Sequence, residues 1–433
     1  MCLRVGMQRM AERAPRWLLW RNVLSNYAYV GLMAVVTLFL TPVYVHSLGP
    51  AEWGAVALCI TFQSVLFLLD AGLGQVAPRE FASVHGDRHR QYALYHRFEM
   101  IYVRGALVTW VLGQASMAWV LPWVSPDMSD ASVWAVRLAL TQFALTFANS
   151  APMGLWNGLQ MQQRANLRQA GFLALKHAGA LWCVTQLSAQ AWAYVLPFVL
   201  VGVVETIVNV RTVHREYSRE ALALRQGHDA QAPSLRVLMS HLGGFGVAVL
   251  AGMLTSQLDR MVLASRLPLQ DFGIYALAVT FGLAFMNLQQ PLQKAFLPRI
   301  VASRGEARNL FWAVALVCGL PCLVVAWWSG EVLQLWLGAR GSDPRMASVL
   351  ALVLVGVAFN AMYAADYTRL VAANAWRAVL AINGLILLVQ WTVLTWGLPA
   401  LGMSAGGWSW VACGVLQFAL GRWCVMKRGE ARA

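Results

Sequence analysis

The stretch LGPAEWGAVALCITF at residues 48–62 recurs 219 positions later as LPLQDFGIYALAVTF at residues 267–281, with six identities in fifteen positions. Both copies carry an acidic–aromatic–glycine triplet, EWG at residues 52–54 and DFG at residues 271–273. In each copy, a long apolar run follows a short polar connection. This pattern indicates that the chain is a duplication, and that the repeated unit is a set of apolar helices.

Composition identifies the environment of these helices. Apolar residues make up 59% of the chain and charged residues only 12%, whereas soluble domains contain about half and a quarter. Because about 20 apolar residues span a bilayer as a helix, we predict an all-α polytopic membrane protein with twelve transmembrane helices. They form two pseudo-symmetric six-helix bundles around a central cavity, an architecture typical of alternating-access transporters. The predicted spans are 23–45, 53–77, 98–121, 132–156, 169–187, 191–210, 237–258, 272–293, 309–328, 346–368, 378–397 and 402–421.

The basic residues alternate between the two sides of these spans. With the N-terminus in the cytoplasm, 26 of the 33 Lys and Arg residues fall in inner segments and three lie within spans. The outer loops contain only Arg260, Arg266, Arg340 and Arg345. The positive-inside rule then places both termini in the cytoplasm. The net charge of +14 is thus explained by topology, and we expect no nucleic-acid partner.

The spans and loops predict the domain organisation. A cytoplasmic N-terminal segment at 1–22 precedes a first bundle at 23–210 and a linker at 211–236, and a second bundle at 237–421 is followed by a cytoplasmic tail at 422–433. The linker has mixed charge, which favours a solvated amphipathic helix without specific function. The first span has no small-residue cleavage site, so we expect it to be retained rather than removed as part of a signal peptide.

The sequence lacks the motifs that several kinds of catalysis and metal binding require. The sequence contains no Walker A motif, no glycine-rich phosphate loop and no large outer loop, which argues against an ATPase or a folded extracytoplasmic catalytic module. Cys318 and Cys322 share a helix face, but no His or acidic residue accompanies them, which favours apolar packing over metal binding. We therefore predict a protein that is not an enzyme, with no catalytic residue, metal site or cofactor.

Three motifs carry a resemblance to a known family. They are LGPAEWG after Pro42, DAGLG at residues 70–74 followed by Arg79, and QLDR at residues 257–260 ahead of DFGIYALA. Their order and spacing resemble those of the polysaccharide flippases, the O-antigen and exopolysaccharide translocases of the multidrug/oligosaccharidyl-lipid/polysaccharide exporter superfamily. The resemblance covers nearly the whole chain.

The resemblance implies a twelve-helix protein of the bacterial inner membrane. Such a protein moves undecaprenyl-pyrophosphate-linked oligosaccharide from the cytoplasmic to the periplasmic leaflet for surface polysaccharide assembly. The implied partners are membrane lipid, the lipid-linked glycan, and the polysaccharide polymerase and chain-length machinery.

Three other classes compete with a polysaccharide flippase. A cation-coupled multidrug or metabolite antiporter of the same superfamily needs buried acids, but here bases in the spans match the acids of the first half. Lipid II flippases usually carry two additional helices. A glycan polymerase or ligase needs a sizeable outer loop, whereas the loop at 122–131 has ten residues. The antiporter remains the alternative function.

Charged residues inside the predicted spans are the candidate site, because each costs about 2.5–3.5 kcal/mol at a helix centre and usually faces a cavity or a partner. One hypothesis takes Arg104, Lys176 and Arg137 as a cationic track that binds the pyrophosphate during its passage. Asp70 and Glu205 are candidates for ion coupling. Alternatively, these two acids form structural ion pairs with Arg104 and Lys176. Span amides such as Asn149 could bind glycan hydroxyls or join helices.

Overall fold

A computed structural model describes residues 16–70, 73–84, 86–124, 128–225, 243–290, 292–293, 296, 300, 306–373 and 375–430. Across these ranges, all regular secondary structure is helical. Most of the predicted N-terminal segment and the second part of the predicted linker lie outside the described residues.

The described residues contain sixteen α-helices. Those of the first half are α1 Arg16–Leu66, α2 Leu73–Ser83, α3 Arg88–Val124, α4 Asp130–Ala148, α5 Ser150–Gly158, α6 Gln162–Trp182, α7 Ala191–Glu216 and α8 Ser218–Arg225. Those of the second half are α9 Gly243–Ala264, α10 Leu269–Met286, α11 Glu306–Val314, α12 Leu320–Trp327, α13 Ser329–Leu337, α14 Pro344–Ala372, α15 Trp376–Leu401 and α16 Ser404–Glu430.

Within the described residues, every predicted span overlaps one of these helices or a pair of them, and the boundaries differ for local reasons. Gly49 has a φ of 82° and divides α1 into the first span and the start of the second; a positive φ is freely available to glycine alone. The span predicted at 132–156 is interrupted at Asn149, between α4 and α5. Pro152 explains the break, since it cannot donate a backbone hydrogen bond to residue 148.

Nine helical segments in the described part of the chain are long and apolar enough to cross a membrane. The first of them, Leu24–Leu66, contains nearly all of the first predicted span and the start of the second. These segments carry many exposed large apolar side chains, including Trp327 and Trp396 at 83% and 82% exposure. An all-α polytopic membrane fold is therefore confirmed.

The chain divides into two compact units, which are described separately. The first unit consists of Met1–Leu48, Phe62–Leu121 and Ser129–Gly243, and the second of Gly49–Thr61, Pro122–Met128 and Gly244–Ala433. The predicted bundle boundaries at 210 and 237 stay a prediction, because residues 226–242 are outside the described part. Helix α7 continues to Glu216, past the end of its predicted span.

Aromatic side chains form the core of the first unit. Phe81, Phe98, Tyr102, Phe143 and Trp156 are buried together where α2, α3, α4 and α5 meet. Each aromatic side chain removes about 150–250 Å² from solvent. Polar groups of the first unit pack beside this buried cluster.

An ion pair fixes the short helix α8 to α3. Arg88 Nε lies 2.6 Å from Glu220 Oε1, and the Arg88 guanidinium stacks over the Tyr217 ring at 4.6 Å. The hydrogen bond from Arg88 lowers the pKa of Glu220. The first part of the predicted linker is thus helical and attached to the first unit.

In the second unit, the two copies of the repeated motif contact each other through their backbones. A Cβ placed on Gly54 would lie 2.0 Å from the carbonyl oxygen of Leu269. A Cβ on Gly273 would lie 2.7 Å from the carbonyl oxygen of Pro50 and 3.0 Å from Gly54 Cα. Only glycine permits this approach at either position, as is common where membrane helices pack closely.

The QLDR motif also lies in the core of the second unit. Asp259 is fully buried and accepts hydrogen bonds from Tyr275 Oη at 2.5 Å and Trp410 Nε1 at 2.9 Å. These bonds join α9 to α10 and α16. Both bonds end on one carboxylate oxygen, Oδ2, while Oδ1 is buried without a hydrogen bond among the described residues. Asp259 thus serves to hold three helices together.

Candidate functional site

The first unit encloses a polar cavity of about 330 Å³. Its walls come from helices α1 to α7 and from the turn that contains Asp70. The five predicted site residues fall into two groups: Asp70, Lys176 and Glu205 line the cavity, and Arg104 and Arg137 do not. The predicted amide Asn149 also lines it.

Lys176 and Glu205 form an ion pair on one wall. The Lys176 Nζ lies 2.5 Å from Glu205 Oε2, and Asn149 Nδ2 donates to Glu205 Oε1 at 3.3 Å. The exposed fractions of the Lys176 and Glu205 side chains are 14% and 9%. The carboxylate is therefore satisfied by a cation and an amide, and Lys176 has its charge balanced within the fold.

This ion pair continues into a chain of hydrogen bonds along α7. Glu205 and Asn209 are four residues apart and so lie on one face of the helix. Asn209 Nδ2 donates to Asn149 Oδ1 at 2.9 Å, and Arg168 Nη1 donates to Asn209 Oδ1 at 2.9 Å. Arg168 in turn stacks over the ring of Trp156 at 5.1 Å. The network connects α6 and α7 to the break between α4 and α5.

Asp70 lies on another side of the cavity, apart from any base. Its Oδ2 accepts a hydrogen bond from Ser150 Oγ at 3.2 Å, and the Tyr102 hydroxyl is its electrostatic neighbour. Asp70 Oδ1 and the Tyr102 hydroxyl are both buried, and neither makes a well-formed hydrogen bond with the described residues. The predicted pairing of Asp70 with Arg104 is absent from the ion pairs of the described residues.

The charge balance of the cavity follows from these contacts. Lys176 supplies one positive charge among the lining residues, whereas Glu205 and Asp70 supply two negative charges when ionised. A buried charge needs a partner of opposite sign. The cavity is thus suited to an uncharged polar group or a cation rather than to an anion.

Arg104 and Arg137 occupy other positions in the first unit. Arg104 is exposed on α3 between exposed apolar side chains such as Val103, Leu107 and Val108. Arg137 is half-buried on α4, and its Nη1 donates to Gln114 Oε1 at 3.3 Å. The structure does not bring these two cations together with Lys176 in one cavity, and the cationic track stays a prediction.

Some lining residues carried no signal in the sequence. Tyr29, Tyr102, Asn157 and Gln169 are uncharged polar residues within helices. The chain contains many such residues, and most of them pack between helices or face headgroups. Only the fold separates the few that point into a cavity from the rest.

The second unit contains a much smaller polar cavity of about 50 Å³, with Thr255, Asn360 and Gln390 in its lining. This volume suffices for ordered water. Asn360 accepts from Gln289 Nε2 at 3.0 Å and donates to Gln417 Oε1 at 2.8 Å. Asn360 therefore joins helices, which is one of the two roles predicted for the span amides.

Solved structures of low sequence identity share this fold over nearly the whole chain. An inward-facing multidrug resistance MATE family transporter of the MOP superfamily matches with a TM-score of 0.66 and 13% identity, covering 95% of this chain and 100% of the other. A MOP superfamily transporter from Pyrococcus furiosus matches with a TM-score of 0.62 and 14% identity over 94% and 95% of the two chains. The lipid II flippase MurJ in an inward closed conformation matches with a TM-score of 0.61 and 10% identity over 90% and 87%.

The fold is thus that of the MOP superfamily of membrane transporters. The family described as polysaccharide biosynthesis protein matches residues 19–304. Because that match spans more than half of the sequence, the chain belongs to the polysaccharide biosynthesis protein family. No curated protein matches it.

Proposed function

We propose that this protein is a flippase that translocates undecaprenyl-pyrophosphate-linked oligosaccharide from the cytoplasmic to the periplasmic leaflet by alternating access. The membership in a polysaccharide biosynthesis family carries this proposal, and the MOP fold supports it. The product would then supply the polymerase and chain-length machinery of surface polysaccharide assembly.

Physical chemistry explains why a protein is needed. Each sugar hydroxyl costs roughly 2–7 kcal/mol to strip of its hydrogen bonds in an apolar medium, so an oligosaccharide crosses bare lipid extremely slowly. A polar cavity inside a helical unit, such as the one around Asn149 and Asp70, offers replacement hydrogen bonds. The polyprenyl tail is apolar and stays in the lipid.

The alternative is a cation-coupled antiporter. The observation that favours it is the carboxyl of Asp70, which lines the cavity without a basic partner among the described ion pairs. The MATE structures that share the fold support the same alternative. Asp70 could take up the coupling cation of such an antiporter, whereas Glu205 is already paired with Lys176.

Deletion of the gene tests the flippase. We expect lipid-linked oligosaccharide to accumulate in the cytoplasmic leaflet and surface polysaccharide to be strongly depleted, because synthesis continues while export stops. The measurement is mass spectrometry of the lipid-linked pool together with staining of the cell surface, and a plasmid-borne copy of the gene is the control. Normal surface polysaccharide in a deletion strain without a second flippase would refute the proposal, and raised drug sensitivity alone would support the antiporter.

The proposed orientation has both termini in the cytoplasm of the bacterial inner membrane. Ser129 and Ser218 are exposed at opposite ends of the predicted topology. In a variant without native cysteines, a membrane-impermeant maleimide added from outside should label Ser129→Cys and leave Ser218→Cys unlabelled until the cells are permeabilised. The reverse pattern would mean that the chain is inserted the other way round.

A further inference from the structure

Resting on the proposed function, we infer that the polar cavity of the first unit is a subsite for one sugar ring of the glycan. The pyrophosphate of the lipid binds elsewhere. Three features of the cavity support this inference: its charge, its unused hydrogen-bonding groups and its size.

The charge of the cavity excludes pyrophosphate. Lys176 is held at 2.5 Å by Glu205, and Asp70 adds a second carboxylate to the lining. A pyrophosphate would have to compete with Glu205 for the cation while lying near an acid. Like charges in a water-poor site repel strongly, whereas an uncharged sugar ring carries no such penalty.

The cavity also has polar groups that the fold leaves unused. The side-chain amides of Asn157 and Gln169 line it and make no hydrogen bond with the described residues. Asp70 Oδ1 and the Tyr102 hydroxyl are buried in the same condition. Asn157 is exposed and Gln169 half-buried, so these two amides are open to water or a ligand, whereas buried groups such as Asp70 Oδ1 and the Tyr102 hydroxyl are normally paired in native folds. Alternating donors and acceptors of this kind match the hydroxyls of a sugar.

The size of the cavity limits the ligand to one ring. A volume of about 330 Å³ is at the lower end of the range of small-molecule pockets, about 300–1,000 Å³. The rings of Tyr29 and Phe67 provide apolar surface in the lining, as sugar faces require. The rest of the oligosaccharide must lie outside this cavity.

Ligand-observed NMR on the purified full chain in detergent tests the subsite. The probes are methyl glycosides of neutral hexoses, N-acetylhexosamines and 6-deoxyhexoses, with inorganic pyrophosphate as the competitor. We expect saturation transfer to at least one neutral glycoside in the millimolar range, and no displacement of it by pyrophosphate at equal concentration. Absence of transfer to every glycoside, or displacement by pyrophosphate, would overturn the inference.

Variants locate the binding in the cavity. Gln169→Leu and Asn157→Leu each remove a side-chain amide from the lining and should weaken glycoside binding about tenfold, as expected for the loss of a hydrogen bond. Gln163→Leu is the matched control, because Gln163 is exposed on the same helix as Gln169 but does not line the cavity. Its binding should stay unchanged. Equal binding by all three variants would overturn the location.

The inference of a sugar subsite and the proposed flippase function can fail independently of each other. Translocation of the whole lipid-linked oligosaccharide is scored by the deletion experiment, independently of glycoside binding. If the deletion strain loses surface polysaccharide and no glycoside binds, the sugar subsite alone is wrong. If the surface polysaccharide is normal, the flippase itself is wrong.

Discussion

Gly54→Ala is expected to destabilise the protein strongly, although it adds a single carbon. That carbon would lie 2.0 Å from the carbonyl oxygen of Leu269 and 2.8 Å from its carbonyl carbon. Both are backbone atoms that cannot rotate away, so α10 must shift. Overpacking usually costs 1–3 kcal/mol and occasionally more, and we expect a cost of about 3 kcal/mol or more here. Thermal unfolding in detergent and the amount of protein in membranes measure it.

Gly171→Ala is the control for that substitution. Gly171 lies on α6 with no atom within 4 Å of the added carbon, so alanine should leave the melting temperature unchanged or raise it, by up to about 1 kcal/mol of stability. Gly273→Ala should behave like Gly54→Ala, since its Cβ would lie 2.7 Å from the Pro50 oxygen. If all three variants melt together, the backbone contact between the motif copies does not exist in the membrane.

Lys176→Gln and Glu205→Gln are each expected to reduce membrane abundance and thermal stability. Removing one member of a buried ion pair leaves the other charge uncompensated, which typically costs about 3–5 kcal/mol. The pair is largely shielded from solvent, with 14% and 9% of the two side chains exposed. Arg104→Gln is the matched control, because Arg104 is exposed, and its removal should not change stability.

The double variant Lys176→Gln/Glu205→Gln decides what the pair does. Two amides can hydrogen-bond without a net charge, so we expect the double variant to recover most of the lost abundance and of the surface polysaccharide. A structural ion pair requires this recovery. If abundance returns but surface polysaccharide does not, Lys176 acts on the substrate directly, as the cationic track hypothesis predicts.

The membrane spans could be predicted because apolar length alone specifies them. Where the structure describes them, the twelve predicted spans overlap helices, and local features such as Gly49 and Pro152 displace their boundaries. The break at Asn149 shows the limit of such predictions. Pro152 predicts that the helix is distorted here, but the sequence does not indicate whether the helix bends or ends. The span predicted at 191–210 is shorter than α7, which ends at Glu216. The polar residues after 210 are compatible with a helix as well as with a linker, so the sequence does not locate this end.

The candidate site could be predicted only through its charges. Asp70, Lys176 and Glu205 stand out in an apolar chain, and the structure places all three at one cavity. Their partners could not be derived, because pairing depends on helix rotation, which the sequence of a span does not reveal. Arg104 was an equally good candidate for an ion pair, yet it points away from the cavity lining.

The contact between Gly54 and Gly273 has a consequence for how this gene could change after its duplication. A second copy of a segment usually relaxes the demands on the first, since either copy can drift while the other preserves the function. Here the two copies contact each other directly. A Cβ added to Gly273 would lie 3.0 Å from Gly54 Cα. A larger side chain in one copy cannot be accommodated by a smaller one in the other, because both are already glycine. Substitutions at these two positions are therefore constrained together, however far the two copies diverge elsewhere.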